Sequence, residues 1–314
     1  MTAYAQPQPE QRSRVQRPEP QGRPRLGVAV ITMGNRPREL EALLRSVAEQ
    51  DVRPTRVVVV GNGTPLPEFP ATLPPVTKVE LDENLGVTGG RNAALDALLA
   101  HGDVDVVIDL DDDGLLVGRD VFGRIQDLMA HDQGLGVLSF RIADETGHTQ
   151  RRHVPRLRSR DPMRGGLTTT FLGGGHALRT RMLEETGDWP DEFFFAHEET
   201  DLAWRALDAG WKVRYAPELL LQHPRTSPAR HAIYYRMTAR NRVWLARRNL
   251  PLPLIPVYLG TWTLLTLLRT RSLVGLRAWA GGFAEGVQTP CGERRPMRWR
   301  TVWRMTRLGR PPVI

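Results

Sequence analysis

Four carboxylates stand within five residues at Asp109, Asp111, Asp112 and Asp113, directly after the β-branched run Val104-Asp105-Val106-Val107-Ile108. That run reads as a buried parallel strand. Like charges at such spacing repel, and each resists burial. A chain tolerates the crowding if the groups stay in water or if a cation sits among them. Hard carboxylate oxygens suit Mg²⁺ or Mn²⁺, ions that commonly bridge protein carboxylates to a diphosphate. The bland reading is a solvated acidic turn capping the next helix. A second cluster, Glu198, Glu199 and Asp201, follows the aromatic run Phe193-Phe194-Phe195. Acidic residues at a helix N-terminus complement its dipole, which accounts for one or two of them. A carboxylate held there is also placed as a general base. His223 ends an apolar run, where it either reaches an ion or simply closes a strand. His176 reads as structural.

The elements around these residues alternate in type. Residues 26–32 are a buried strand, followed by the polar turn Met33 to Pro37. A helix then buries Leu40, Leu43, Leu44 and Val47. A second strand, 56–60, ends in Gly61-Asn62-Gly63-Thr64, which is turn chemistry. A proline-rich loop, 65–75, precedes a third strand at 77–81. The glycine-bearing segment Asn84 to Asn92 is predicted as a loop before a helix at about 93–99, with Arg91 free to fork onto phosphate oxygens. This order predicts an α/β, Rossmann-like, doubly wound mixed sheet with helices on both faces. Its glycines fit neither the dinucleotide nor the Walker spacing.

Further on, a helix at about 120–130 and a strand at 136–141 lead into a polar, basic loop over 144–166 that suggests a lid. Gly173-Gly174-Gly175 permits close backbone approach. The helix opening at 198 should run to Ala209 and stop at Gly210. Two strand pieces around Pro217 carry the chain to His223.

The 314 residues carry a formal net charge of +8, with arginine concentrated in the N-terminal tail, around 151–164 and beyond 236. That distribution suits an anionic lipid or a diphosphate ligand at least as well as nucleic acid. The one cysteine, Cys291, excludes an internal disulfide and a cysteine-rich zinc site. Residues 1–25 have a disordered composition. Residues 26–233 are expected to form the catalytic domain, its nucleotide half at 26–114 and its acceptor half at 115–233. Residues 234–314 then form a basic helical C-terminal extension. In it, 234–250 reads as a basic amphipathic helix. The charge-free stretch 250–268 is crowded by Pro251, Pro253 and Pro256 and reads as an interfacial hairpin rather than a span. With no signal-peptide core at the N-terminus, the expected location is cytoplasmic, peripheral on the inner face of the plasma membrane.

In order along the chain, four sets of motifs resemble glycosyltransferase family 2, enzymes of GT-A fold, and its rhamnosyltransferase-like members in particular. The first is the Thr32–Arg36 turn, with Asn84-Leu85-Gly86 through Arg91-Asn92. The second is Asp111-x-Asp113. The third is Gly187-x-x-x-Asp191-Glu192-x-Phe194 with Glu198-Glu199-x-Asp201-Leu202-x-x-Arg205. The last is Pro217 with His223. The resemblance implies inverting transfer of a hexosyl or deoxyhexosyl group from a nucleoside diphosphate sugar to an acceptor hydroxyl. It implies Mg²⁺ or Mn²⁺ held by Asp111, Asp113 and His223. Glu199 falls at the position of the catalytic base, usually an Asp. The resemblance puts Thr32, Arg36, Asn62, Gly86, Arg91, Asp111, Asp112 and Gly174 on the donor side, and Glu198 and Asp201 on the acceptor side. Gly61 stands where the family commonly has a uracil-binding Asp, so thymidine and guanosine donors stay open beside uridine. The acceptor is a glycan, a lipid-linked sugar or a small molecule. Two other readings were weighed. A sugar nucleotidyltransferase would carry a glycine-rich basic loop after the first strand, and Met33 to Pro37 is too short and glycine-poor for one. A basic nucleic-acid-binding module would interleave aromatics with basic residues on exposed strands, and it leaves both carboxylate clusters unexplained.

Overall fold

A computed structural model describes residues 22–70, 73, 75–157, 161–224 and 232–314. Most of the N-terminal segment expected to be disordered therefore lies outside the described residues. In chain order the elements are β1 (Leu26–Thr32), α1 (Pro37–Ala48), β2 (Arg56–Asn62), β3 (Val76–Leu81), α2 (Gly86–Leu99), β4 (Val106–Asp111), β5 (Leu115–Leu116), α3 (Val121–His131), β6 (Leu135–Ala143), β7 (Gly166–Thr168), β8 (Gly175–Arg179), α4 (Thr180–Thr186), α5 (Glu198–Ala209), β9 (Lys212–Gln222), α6 (Ala232–Asn249), α7 (Leu254–Arg269), α8 (Leu273–Gln288) and α9 (Trp299–Arg307).

The strands form one mixed sheet in the order β3-β2-β1-β4-β8-β6-β9-β5, with β7 on β9. β3, β2, β1 and β4 are mutually parallel. β8 runs antiparallel to both β4 and β6, and β9 runs parallel to β6. The C-terminal ends of β1, β2, β4 and β9 therefore share one edge with the N-terminal end of β8. That geometry alone collects Thr32, Asn62, Asp111, Gly174 and His223. Apolar side chains bury both faces of the sheet. One cluster packs α1 and α3 against one face, through Leu43, Leu44, Phe122 and Ile125. The other packs α2 and α5 against the opposite face and continues without a break into Trp244, Leu250, Tyr258 and Met305 of the C-terminal helices.

Five expectations change. Helix α2 begins at Gly86, not near Ala93, so Gly89, Gly90, Arg91 and Asn92 lie within it. Its glycines have weak helix propensity, and tertiary bonds supply what they lack. Asn84 Oδ1 accepts from the Gly86 N–H, and Asn62 accepts from the Leu85 N–H while donating to Gly86 O. β9 passes unbroken through Pro217, because its register against β6 shifts between Phe140 and Arg141 and absorbs the missing donor. The 144–166 stretch is not wholly irregular: a 3₁₀ turn occupies Arg151–His153, and Gly166 opens β7. Helix α6 is not an amphipathic surface helix. It buries Asn241, Val243, Trp244, Leu245 and Ala246 and packs closely on α8, where Gly282 lies against the Arg236 carbonyl. The stretch 250–268, read as a hairpin, is instead mostly one continuous helix, α7, and Pro256 is tolerated in its first turn, where N–H groups have no intrahelical acceptor. Among the described residues, no helix is long and apolar enough to cross a membrane.

Candidate active site

Strand alternation and the turn after β4 send the crowded carboxylates to different partners. Asp109 and Asp111 share one face of β4, with buried Leu110 on the other. Asp109 Oδ2 lies 3.2 Å from Arg91 Nε. Burial pushes the Asp109 carboxyl up to about 6, against the opposing charge of Arg91. Past the strand end, Asp112 Oδ2 accepts from the Thr32 hydroxyl at 2.6 Å, and Arg36 Nη1 donates to Asp113 Oδ2 at 2.5 Å. The turn after β1 thus holds the far side of the acidic motif.

His223 follows β9 and closes the cluster. Its Nε2 lies 3.0 Å from Asp113 Oδ1 and 3.7 Å from Asp111 Oδ2. Ligand atoms from Asp111, Asp113 and His223 all lie within 4.8 Å of one another. Two features fit this trio to a divalent cation. Asp113 Oδ1 is buried and turned toward the other two ligand atoms, with His223 Nε2 at 3.0 Å. His223 Nδ1 lies 2.9 Å from the Pro224 carbonyl, which only accepts, so Nδ1 carries the proton and Nε2 is the nitrogen turned toward the carboxylates. Burial lowers the His223 pKa, but its bonds to Asp111 and Asp113 outweigh that and raise it to about 10. Without a cation the imidazolium takes that role itself.

The second cluster divides just as sharply. The loop before α5 carries positive φ at Phe194, Ala196 and His197. Such backbone costs about 1–3 kcal/mol per residue and persists only where surroundings impose it. Asn241 imposes it here, its side-chain amide reaching the carbonyls of Phe193, Phe195 and Ala196 at 2.7–2.9 Å. From the other side Val87 N–H donates to Phe194 O at 2.7 Å. The loop so held aims the first turn of α5 at the sheet edge. Glu199 there keeps 20% of its side chain exposed, against 3% for Glu198. Burial, then the neighbouring Glu199, hold Glu198 well above the ordinary carboxylate range, with Arg91 opposing.

Between the clusters lies bare backbone. A β-carbon at Gly173 would collide with Glu199 Oε1, and one at Gly174 would come within 3.0 Å of Asp111 Oδ2. The glycines let the Glu199 and Asp111 carboxylates lie against the main chain leading into β8. Gly173→Ala is expected to displace the Glu199 carboxylate rather than unfold the chain, since the colliding atom ends a flexible side chain. A displacement of that size lowers turnover by about 10²-fold. Steady-state kinetics beside a thermal melt checks this, the melt moving little.

Three residues named from the sequence take other roles. Arg91 does not fork onto a ligand. It is buried under the site, with Nη2 donating to Gly173 O at 2.8 Å, Nη1 3.7 Å from both Glu198 and Glu199, and its guanidinium over Trp189. It holds the two clusters in register from within the core. Asn62 is spent on bracing the start of α2, as above. Asp201 does not face an acceptor. It is fully buried, accepting from Arg205 Nε at 2.8 Å, Arg248 Nε at 3.2 Å and Asn249 Nδ2 at 2.7 Å. Asp201→Ala leaves two largely buried guanidinium groups without their carboxylate, and is expected to cost about 3–5 kcal/mol of stability. Urea unfolding measures it. An unchanged midpoint with a raised acceptor KM would instead return Asp201 to the acceptor side.

The reading from sequence missed Asn241, because a lone Asn within a helical stretch carries no signal of the loop it clamps. His176 is structural as expected, packed against Phe171 and Trp189. Burial, together with the charge of Arg91, keeps it neutral.

The fold is found in known proteins. A mannosyltransferase from Pyrobaculum calidifontis, solved with GDP-Man and Mn²⁺, is similar in structure at 20% identity and a TM-score of 0.52, over 93% of this chain and 86% of that one. TarS 1-349 of S. aureus with UDP-GlcNAc matches at 16% identity and a TM-score of 0.59, over 84% and 81%. These likenesses show a shared GT-A fold. A protein of Haemophilus influenzae is 32% identical over 114 residues, which are 34% of this chain, so the chain spans 58% of the length of that relative. Residues 28–187, from β1 to the end of α4, match the model of glycosyl transferase family 2, and the chain belongs to that family.

Proposed function

We propose that this chain is a metal-dependent inverting glycosyltransferase that moves a sugar from a nucleoside diphosphate donor to an acceptor hydroxyl. One observation carries the reading. The Asp111–Asp113–His223 trio and the Glu199 carboxylate meet at one sheet edge, both set against the bare backbone of Gly173 and Gly174. Asp111, Asp113 and His223 would hold Mg²⁺ or Mn²⁺. The ion would offset charge building on the departing diphosphate. The rest of the chemistry belongs to the chain. Glu199 takes the proton from the acceptor hydroxyl as its oxygen attacks the anomeric carbon. Attack opposite the leaving group inverts that carbon. Arg91 fixes where both acidic clusters sit, and Thr32 and Arg36 fix Asp112 and Asp113. The Mn²⁺-bound mannosyltransferase and the UDP-GlcNAc-bound TarS support this reading, as proteins of the same fold that bind such donors.

Residues of the C-terminal helices also support peripheral contact with a membrane. Leu268 is 71% exposed and Leu273 77%, with Leu264, Val274, Trp299 and Trp303 also exposed. Arg269 ends α7, and Arg271 stands between α7 and α8. Apolar and aromatic side chains among arginines suit an anionic bilayer surface.

The test is a panel of uridine, guanosine and thymidine diphosphate sugars screened for protection against thermal unfolding with Mn²⁺. A true donor at 100-fold over its Kd adds about 2.7 kcal/mol. Protection by none of them, with or without metal, would overturn the proposal.

A further inference from the structure

Thr238 Oγ1, Arg242 Nε, Trp262 Nε1 and Trp279 Nε1 are each buried without a hydrogen-bond partner among the described residues, and their four residues line one groove between α6, α7 and α8. A buried polar group left unpaired costs about 1–3 kcal/mol, and native structures hold few. Four along one groove ask for a ligand. The set is one-sided: indole N–H and guanidinium groups only donate, and the hydroxyl can donate too. It is also cationic. Burial lowers the Arg242 pKa, opposed by the phenols of Tyr258, which hydrogen-bonds it, and Tyr234, with no carboxylate among them, and its guanidinium lies 3.9 Å from the Trp262 ring centre. Arg269 adds a second cation at the groove. Unpaired donors around a guanidinium on which no carboxylate acts match an oxyanion with several lone pairs. A sugar or a peptide brings donors of its own, which would find no acceptor among these four groups except the hydroxyl.

Two more features say what carries the oxyanion. The groove encloses about 120 Å³, and a second cavity of about 130 Å³ shares Arg242 and Trp262 with it. The inner cavity adds Arg310 and reaches His197 and Thr200, which flank Glu198 and Glu199 in the chain. At the other end, the same two helices expose Leu264, Leu268, Leu273 and Val274. An amphiphile with its anionic head in this groove has an apolar surface on α7 and α8 for its tail.

We propose that the groove binds the phosphate of an amphiphilic acceptor, a lipid phosphate or diphosphate. The word acceptor rests on the glycosyltransferase reading; the binding itself does not. The test titrates the full chain with dodecyl phosphate below its micellar concentration, following tryptophan fluorescence and heat. Inorganic phosphate and neutral dodecyl maltoside serve as comparison probes. Saturable binding of dodecyl phosphate is expected, at least tenfold tighter than either comparison probe. Arg242→Gln should weaken it at least tenfold, and Trp279→Phe, which keeps the apolar ring but removes the donor, about threefold. Nucleoside diphosphate binding with Mn²⁺ should hold in both variants. Inorganic phosphate binding as tightly would make this a free-anion site. Equal binding of the maltoside would make it an apolar one. Dodecyl phosphate binding untouched by both substitutions would also overturn the proposal. Phosphatidylglycerol vesicles separate the remaining source: vesicle binding lost together with dodecyl phosphate binding would mean a bilayer headgroup, not an acceptor. Absence of any nucleotide binding in the wild type would overturn the function proposed above and leave the groove result standing.

Discussion

Glu199→Gln is expected to lower turnover by about 10²–10⁴-fold while donor affinity stays near that of the wild type. The amide keeps the shape of the carboxylate and removes its basicity. Geometry singles out Glu199 from its neighbours. Glu198 is shut in beneath it, and Asp201 is consumed by Arg205, Arg248 and Asn249. Only Glu199 combines solvent access with a place against Gly173, beside the acidic motif. Kinetics with the donor saturated separates the roles. A collapse of donor binding, with turnover of bound donor intact, would make Glu199 a binding residue and pass the base to Glu198.

Asp113→Ala is expected to abolish transfer and metal-dependent donor binding together, without loss of apo stability. Two opposed effects set the stability outcome. Removing Asp113 deprives Arg36 and His223 of a partner at 2.5 and 3.0 Å. It also relieves the repulsion of a buried carboxylate from Asp111 and Asp112. Arg36 is partly exposed, so the pair it loses is worth little. A melting temperature equal to or above that of the wild type, with activity gone, is the expected pair of results. Full turnover in the variant would remove Asp113 from the metal site.

Much of this was legible in the sequence because the acidic motif and β4 are contiguous. A β-branched run ending in carboxylates states both the strand and what its end carries. The resemblance assigns Thr32, Asp111 and Gly174 to the donor and Asp111 and His223 to the metal, and the strand order brings all four to one edge. What stayed hidden depended on partners distant in the chain. The start of α2 is masked by Gly86, Gly89 and Gly90, and it forms because Asn62 and Asn84 hold it. Arg91 looked free for phosphate only while it was taken to lie in a loop. On the second turn of a helix packed under the sheet edge it must meet Asp109 and the α5 carboxylates instead. Asp201 resembled its two neighbours in type, and only Arg248 and Asn249, almost fifty residues on, distinguish it. The basic C-terminal helices looked like surface elements because arginine is charged. Arg248 caps the Asp201 cluster, and Arg304 donates to Leu207, Gly210 and Trp211 carbonyls beyond the end of α5. Those contacts join the C-terminal helices to the helix that carries Glu199.

The most direct test of the central claim is release of nucleoside diphosphate from a panel of nucleotide sugars by the full chain, stripped of metal and then resupplied. The account predicts that at least one donor is consumed with Mn²⁺ or Mg²⁺, that chelation stops it, and that returning the ion restores it. Release that continues at the same rate in the presence of chelator, with no change in Asp113→Ala, would contradict it.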